Sequence, residues 1–138
     1  MIRLLYTNVV SALARDPQGP AGQALRRLPP DEASQLVTSI VVAAELRFGI
    51  AKAPRQAAPV ISARVEAILS RLPVHALDAP SDHRYAEIRA HLERRGEIIG
   101  GNDLLIAAQA LALGAILVTD NVAEFGRVPG LQVENWLR

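Results

Sequence analysis

Three acidic residues far apart along the chain, Glu45, Asp103 and Asp120, each lie beside apolar residues. Their surroundings read, in order, IVVAAELRFG, GGNDLLIAA and AILVTD. Carboxylates gathered in one place repel one another, and their pKa values rise unless a cation neutralises them. Carboxylate oxygens suit a hard divalent cation, and Mg²⁺ held by a few carboxylates usually acts on phosphates. If the fold brings these acids together, the sequence predicts metal-assisted phosphodiester hydrolysis.

Each acid also has a simpler interpretation when it is taken alone. Asp103 at the start of a helix would interact favourably with the helix dipole, and Asp120 after a strand would be an ordinary turn residue. Glu45 is harder to explain in this way, because Val41 and Val42 lie on a neighbouring turn of its apolar helix. The three positions together favour a functional site more than any one of them does.

Short apolar runs that alternate with helical segments must position these acids. We predict strands at 2–6, 36–39, 74–77, 115–119 and 131–133, and helices at 7–15, 21–28, 40–50, 57–72, 80–95 and 102–113. Strands that alternate with helices imply right-handed crossovers and a mostly parallel sheet covered on both faces. The sequence therefore predicts an α/β fold, a three-layer α/β/α sandwich with four or five strands, as a single domain over residues 1–138.

The ends of the predicted strands locate the site. In an open parallel sheet, ligands bind at the carboxyl ends of the strands. The first strand ends at Tyr6 and is followed by Thr7 and Asn8, either of which is expected to cap the next helix. The fourth strand ends at Thr119 and runs directly into Asp120. We therefore expect the acids and these neighbouring polar residues to meet at one edge of the sheet.

Composition excludes several classes of protein. The 138 residues include no cysteine, which excludes disulfide frameworks and thiolate chemistry. The net charge of +1 is too small to attract polyanions by bulk charge alone. The longest apolar stretch, 104–118, is interrupted by Gln109 and Gly114 and is too short to span a membrane. Polar residues also interrupt any signal-peptide core near the start, so we expect a soluble, cytoplasmic protein with no membrane partner.

Four segments of the chain resemble, in order, the motifs of PIN domains: LLYTNVVS, TSIVVAAELRFG, GGNDLLIAA and LVTDNVAEF. The likeness is greatest to the VapC-type toxins of bacterial toxin–antitoxin pairs and extends to the tail, VPGLQVENW. It implies a Mg²⁺- or Mn²⁺-dependent endoribonuclease that cuts RNA, often tRNA or ribosomal RNA, to stop translation. It also implies a homodimer silenced by a VapB-like antitoxin, whose C-terminal segment blocks the acidic site and through which alone operator DNA is bound.

The resemblance assigns roles position by position. The residues that match the metal-binding acids of the family are Glu45, Asp103 and Asp120. Thr7 and Asn8 match the polar pair that follows the first acid of the family, and Thr119 and Asn121 flank the last acid. On this basis the expected catalytic set also includes Asn8 and Thr119.

The chain departs from the family at Tyr6, where PIN domains carry an aspartate. A phenol with a pKa of about 10 is neutral at pH 7, so one negative charge is missing from the expected metal site. The ring is also larger than a carboxylate and would project into the metal pocket. We therefore expect the chain as written to be an impaired nuclease, although an aromatic residue also suits the end of an apolar strand.

Two alternatives to an active nuclease remain at this point. Loss of the first acid favours a catalytically inactive PIN module that holds an antitoxin and, through it, operator DNA. A phosphoacceptor receiver domain shares the parallel sheet and the acidic edge. It needs an acid pair at the first strand and a late lysine, whereas here the only lysine is Lys52.

Overall fold

The apolar runs form a parallel sheet at the centre of the computed structural model, which describes residues 1–138. Its strands are β1 (Arg3–Leu5), β2 (Leu36–Ser39), β3 (Val74–His75), β4 (Ile116–Val118) and β5 (Val133–Glu134). They pair in parallel throughout, in the order β3-β2-β1-β4-β5. The predicted α/β class and parallel sheet are confirmed. β2 has its predicted bounds, and β5 begins two residues later than predicted.

Eight helices connect the strands: α1 (Thr7–Arg15), α2 (Pro20–Arg27), α3 (Pro30–Ala33), α4 (Ile40–Ala51), α5 (Ala58–Leu69), α6 (Ser81–Arg94), α7 (Gly101–Leu113) and α8 (Val122–Phe125). The short helices α3 and α8 were not predicted. Pro30 begins α3 rather than only ending the helix before it, because proline fits the first turn of a helix, where no N–H is needed. None of the eight helices has the length and apolar character needed to cross a bilayer.

The two central strands, β1 and β4, are covered on both faces. Leu4, Leu5, Leu117 and Val118 are fully buried, and successive side chains of a strand point to opposite faces of the sheet. This burial explains why both strands read as continuous apolar runs rather than alternating ones. The arrangement holds the carboxyl ends of β1 and β4 side by side.

Helix α7 is the buried helix that the sequence predicts. Ile106, Ala107 and Ala108 on consecutive positions are fully buried. Gln109 is also buried, and its amide nitrogen donates to the backbone oxygens of His75 and of the residue after it, each at 3.1 Å. These bonds hold α7 against the end of β3.

The C-terminal tail is held against the sheet. Trp136 is buried, as expected for a packing anchor, and its indole N–H donates to Glu134 at 3.1 Å. Glu134 in turn accepts from the guanidinium of Arg3 at 3.0 Å, and Arg3 also pairs with Glu32 at 3.1 Å. The buried arginine thus links β1, β5 and α3, and it places the last residues of the chain near the carboxyl end of β4.

Candidate active site

The carboxyl ends of β1 and β4 form the floor of the site. Leu5 and Val118 are register partners, and the backbone N–H of Tyr6 donates to the oxygen of Val118 at 2.9 Å. The residues that follow each strand, Tyr6 and Thr119, are therefore neighbours although they are far apart in sequence. The expected meeting of polar residues at this edge has its structural basis in this strand pair.

Tyr6 is the N-cap residue of the first helix, which corrects the predicted cap. The backbone oxygen of Tyr6 accepts from the N–H groups of Val9 and Val10 at 3.0 and 3.1 Å, and no side chain caps α1. The prediction that Thr7 or Asn8 caps the helix is wrong, because the N-cap position falls on Tyr6 and both predicted residues lie within the first turn of the helix. Their side chains point to other partners.

Thr7 and Asn8 tie α1 to the acidic segments. The hydroxyl of Thr7 donates to Glu45 Oε1 at 3.0 Å, and Asn8 Oδ1 accepts from the backbone N–H of Asp120 at 3.4 Å. Thr7 thus orients a carboxylate on α4, whereas Asn8 holds the turn after β4. The polar pair contributes by positioning the acids, each through one hydrogen bond.

The phenol of Tyr6 binds one of the predicted acids directly. Its hydroxyl donates to Asp103 Oδ1 at 2.6 Å, a short distance typical of a hydrogen bond to an ionised carboxylate. The ring packs edge-on against Phe125, with ring centroids 5.1 Å apart and an interplanar angle of 74°. Tyr6 therefore projects among the acids, as its size and position at the end of β1 predict.

Glu45 and Asp103 lie in a negatively charged, partly buried environment. Burial raises the pKa of Asp103, the hydrogen bond from Tyr6 opposes this rise, and the charge of Glu124 adds to it. Burial likewise raises the pKa of Glu45, with the Thr7 bond opposing the rise and the charge of Asp103 adding to it. A cation placed between these groups would stabilise their ionised forms.

Tyr6 itself stays neutral in this environment. Burial, the hydrogen bond to Asp103 and the surrounding negative charges all raise the pKa of the phenol well above its usual value. The phenol is therefore a donor to Asp103 at every physiological pH. It supplies no negative charge at the position where the resemblance implies a carboxylate.

Asp120 is in a different environment. Its Oδ1 accepts from the guanidinium of Arg138 at 2.8 Å and from the amide of Asn135 at 3.1 Å. These two bonds, with that from Arg138 the larger effect, lower the pKa of Asp120 below its usual range. The negative charge of Asp120 is thus compensated by the C-terminal tail, through Arg138 and Asn135.

Each of the three predicted acids accepts hydrogen bonds from its own set of side chains in this arrangement. No group of three or more His, Cys, Asp or Glu side chains is placed to hold a metal ion together. Tyr6 occupies an oxygen of Asp103, and the tail occupies an oxygen of Asp120. The neutral donor at position 6 thus satisfies one oxygen of Asp103 without a cation.

Thr119, which was expected in the catalytic set, has a local role here. The residue is fully buried, and its hydroxyl oxygen accepts from the backbone N–H of Asn121 at 3.0 Å. This bond shapes the turn that carries Asp120. Thr119 therefore positions the acid and does not face the space beside it.

Sequence reasoning missed three polar residues at this edge. Glu124 on α8 accepts from the amide of Asn121 at 3.1 Å, and its charge raises the pKa of Asp103. Its signal was its place in the fourth motif, LVTDNVAEF, four residues after Asp120. Asn135 and Arg138 had no comparable signal, because only the path of the tail brings them to Asp120.

The carboxylate oxygens at this edge are of the type that binds a hard divalent cation, but there are fewer of them than the resemblance implies. Oxygen ligands are those that Mg²⁺ and Mn²⁺ prefer, and Glu45 and Asp103 lack a positive partner. The set is one carboxylate short because of Tyr6. A site with these residues is therefore expected to hold such an ion weakly.

Comparison with known proteins identifies relatives of the whole chain. The pattern that defines the PIN domain matches residues 4–131. Ribonuclease VapC2 of Rickettsia felis is 42% identical over 101 residues, which are 73% of this chain and 74% of that protein. The tRNA(fMet)-specific endonuclease VapC of Salmonella typhimurium is 36% identical over 105 residues, 75% of this chain and 76% of that protein.

A solved structure shares the fold in full. The crystal structure of VapBC2 from Rickettsia felis, bound to a DNA fragment from its promoter, contains a chain that superposes with a TM-score of 0.90. The identity is 36%, and the alignment covers 99% of each chain. Sequence and structure comparisons thus point to the same group of proteins.

Proposed function

Because the chain belongs to the PIN-domain family, we propose that it carries the framework of a divalent-metal-dependent endoribonuclease toxin of the VapC type. The observation that carries the proposal is the pair Glu45 and Asp103, held at the carboxyl edge of the sheet with no positive partner. Both acids occupy family motif positions, and both have raised pKa values. The substrate class is RNA, of the tRNA or ribosomal type, which places the action in the cytoplasm.

The chain's own residues would hold the ion as follows. Asp103 and Glu45 would be ligands on the Tyr6 side, and Asp120 would be the third carboxylate of the set. Bound Mg²⁺ or Mn²⁺ would supply positive charge to the scissile phosphate and to the attacking water. Thr7 orients Glu45 through its 3.0 Å hydrogen bond.

Tyr6 is proposed to impair this framework. Its hydroxyl takes up Asp103 Oδ1 at 2.6 Å, and its ring is larger than the carboxylate that the family resemblance implies at this position. The loss of a principal electrostatic group is worth on the order of 10²-fold or more in rate. The chain as written is therefore proposed to be a weak nuclease on an intact scaffold.

Restoring the missing acid tests the proposal. We expect Tyr6→Asp to cut a mixture of tRNA and ribosomal RNA at least about 10²-fold faster than the parent chain with Mg²⁺ or Mn²⁺ present. Tyr6→Phe is the matched control, since it removes the hydroxyl without adding a charge, and it should stay as slow as the parent. Adding Glu45→Gln or Asp103→Asn to Tyr6→Asp should abolish the gain.

A second candidate function has its own supporting observation. The 2.6 Å bond between Tyr6 and Asp103 satisfies the acid without a metal, which suits a catalytically inactive PIN module that only binds an antitoxin. If Tyr6→Asp cuts no RNA while the parent chain binds its antitoxin tightly, this second function replaces the first. Gel filtration with the protein encoded by the adjacent reading frame measures that binding.

The proposed partners follow from the same family membership. The neighbour named above is a VapBC pair on promoter DNA. We propose that this chain likewise forms a homodimer, is neutralised by a VapB-like antitoxin and reaches operator DNA only through that antitoxin. Sedimentation of the chain alone and with the antitoxin, each with and without operator DNA, tests all three contacts.

A further inference from the structure

A cavity lies beside Glu45 on α4. It has a volume of about 480 Å³ and lies between α4, the start of α1 and the start of α7. Its lining residues are Thr7, Ala44, Glu45, Phe48, Gly49, Lys52 and Asn102. Most of them are polar or small, so the cavity suits a hydrated, charged ligand better than an apolar one.

One face of α4 supplies three different chemical groups to this cavity. Glu45, Phe48 and Lys52 follow at spacings of three and four residues, which places them in a row along the helix. Lys52 lies about 10 Å further along the helix axis than Glu45, from a rise of about 1.5 Å per residue. The row therefore runs from an acid of the proposed active site, across an aromatic ring, to a cation.

The aromatic ring and the cation are both available to a ligand. The side chain of Phe48 is 65% exposed, whereas the other phenylalanine of the chain is fully buried. Lys52 forms no ion pair, and its ammonium lies over one face of the Phe48 ring, 5.0 Å from the centroid. A cation over one face of an exposed ring can contact a phosphate while the other face of the ring contacts a base.

Gly49 leaves the space between these groups open. A Cβ atom at this position would meet no other atom within 4 Å. A larger side chain would therefore enter the cavity without touching the protein core. The open face beside Phe48 gives a flat ligand room to stack.

We propose that this cavity is a subsite for one unpaired RNA nucleotide, whose base stacks on Phe48 and whose phosphate lies against Lys52. The inference rests on the proposed nuclease function, because it places the nucleotide beside the scissile phosphate. Asn102, exposed at the start of α7, supplies amide groups for the edge of the base. Stacking tolerates every base, so any preference for one base would come from Asn102.

Binding in the absence of cleavage tests the subsite. The probe is a fluorescein-labelled single-stranded RNA of mixed sequence, titrated in EDTA and followed by fluorescence anisotropy across a range of salt concentrations. We expect Phe48→Ala to weaken binding by about 5- to 150-fold, the range for loss of one base stack. We expect Lys52→Gln to reduce the slope of log K against log salt by about 0.7, the loss of one phosphate contact.

Two further variants separate the subsite from general effects. Arg64→Gln, on the exposed face of α5 away from the cavity, is the matched charge control and should change the salt slope by less than Lys52→Gln does. Gly49→Leu should fold, because leucine favours the helix more than glycine does, yet weaken binding by filling the cavity. Thermal unfolding checks that each variant is folded.

Several results would overturn the inference. The parent chain could fail to bind RNA at low salt, or Phe48→Ala could bind RNA as tightly as the parent does. Lys52→Gln and Arg64→Gln could also change the slope of log K against log salt by equal amounts. A Phe48→Ala variant that dissociates a dimer in sedimentation, with RNA affinity unchanged, would assign this surface to a second copy of the chain. If Tyr6→Asp fails to cut RNA while these binding effects appear, the nuclease proposal fails and the RNA subsite stands.

Discussion

Replacing Tyr6 with phenylalanine isolates the contribution of one hydroxyl to stability. The substitution keeps the ring against Phe125 and removes the 2.6 Å hydrogen bond to Asp103. A hydrogen bond to a charged group contributes about 1.5–3 kcal/mol. Because the two residues are only partly buried, solvent compensates part of the loss. We therefore expect the free energy of unfolding at pH 7 to fall by about 1–2 kcal/mol.

The effect should depend on pH in a defined direction. Burial raises the pKa of Asp103 in the folded state, and the Tyr6 bond opposes that rise. Without the hydroxyl the folded pKa rises further, so stability is lost as pH increases through the titration of Asp103. The difference between the parent and Tyr6→Phe should therefore be small where Asp103 is protonated in both the folded and unfolded states. It should grow to a plateau as pH rises.

Urea unfolding of both proteins between about pH 3 and pH 8 measures this difference. Tyr85→Phe is the matched control, because the hydroxyl of Tyr85 accepts a hydrogen bond from Arg89 on the exposed helix α6, and its loss should cost less than about 0.5 kcal/mol. A difference that stays constant with pH, or a Tyr6→Phe variant more stable than the parent at pH 7, would refute the reasoning. Either result would mean that Asp103 is not ionised and bonded to Tyr6 in the folded protein.

Three further outcomes follow from other contacts. Arg138→Gln should raise the pKa of Asp120 toward its usual value, because the guanidinium bond is the main cause of its lowering; carboxyl carbon NMR measures this, and an unchanged pKa contradicts it. Gly22→Ala should destabilise the fold by about 1–3 kcal/mol, since its Cβ would lie 1.9 Å from the backbone oxygen of Pro17; unfolding at parental stability would contradict it. Gly49→Ala should instead stabilise the fold by about 0.5–1 kcal/mol, because a Cβ atom at this position would contact no other atom within 4 Å. Calorimetry measures the change in stability, and a variant less stable than the parent would contradict the prediction.

Much of the fold was predictable because hydrophobic periodicity reports burial. The run LVTS became β2 with its predicted bounds, and the nearly all-apolar segment from Asn102 became the buried helix α7. The short helices α3 and α8 escaped prediction, because four residues are too few to show a helical period. Helix α7 ended at residue 113 as predicted, and Gly114 follows it with a φ of 64° that glycine adopts readily.

The sequence by itself determined which chemistry stands at the sheet edge and what is missing from it. Parallel strands present their carboxyl ends at one edge of the sheet, so the residues that follow β1 and β4 had to lie at that same edge. The neutral phenol at position 6 likewise follows from residue type alone. These conclusions need only the order of elements and the charge of each side chain.

Only the tertiary structure decided which groups pair. Tyr6 donates a hydrogen bond to Asp103, which lies 97 positions further along the sequence. The guanidinium of Arg138, at the end of the chain, faces Asp120. Such choices depend on rotamers and on the path of the tail at the scale of an ångström, which no periodic pattern encodes. The sequence predicted three acids at one edge, and the packing divided them between a phenol and an arginine.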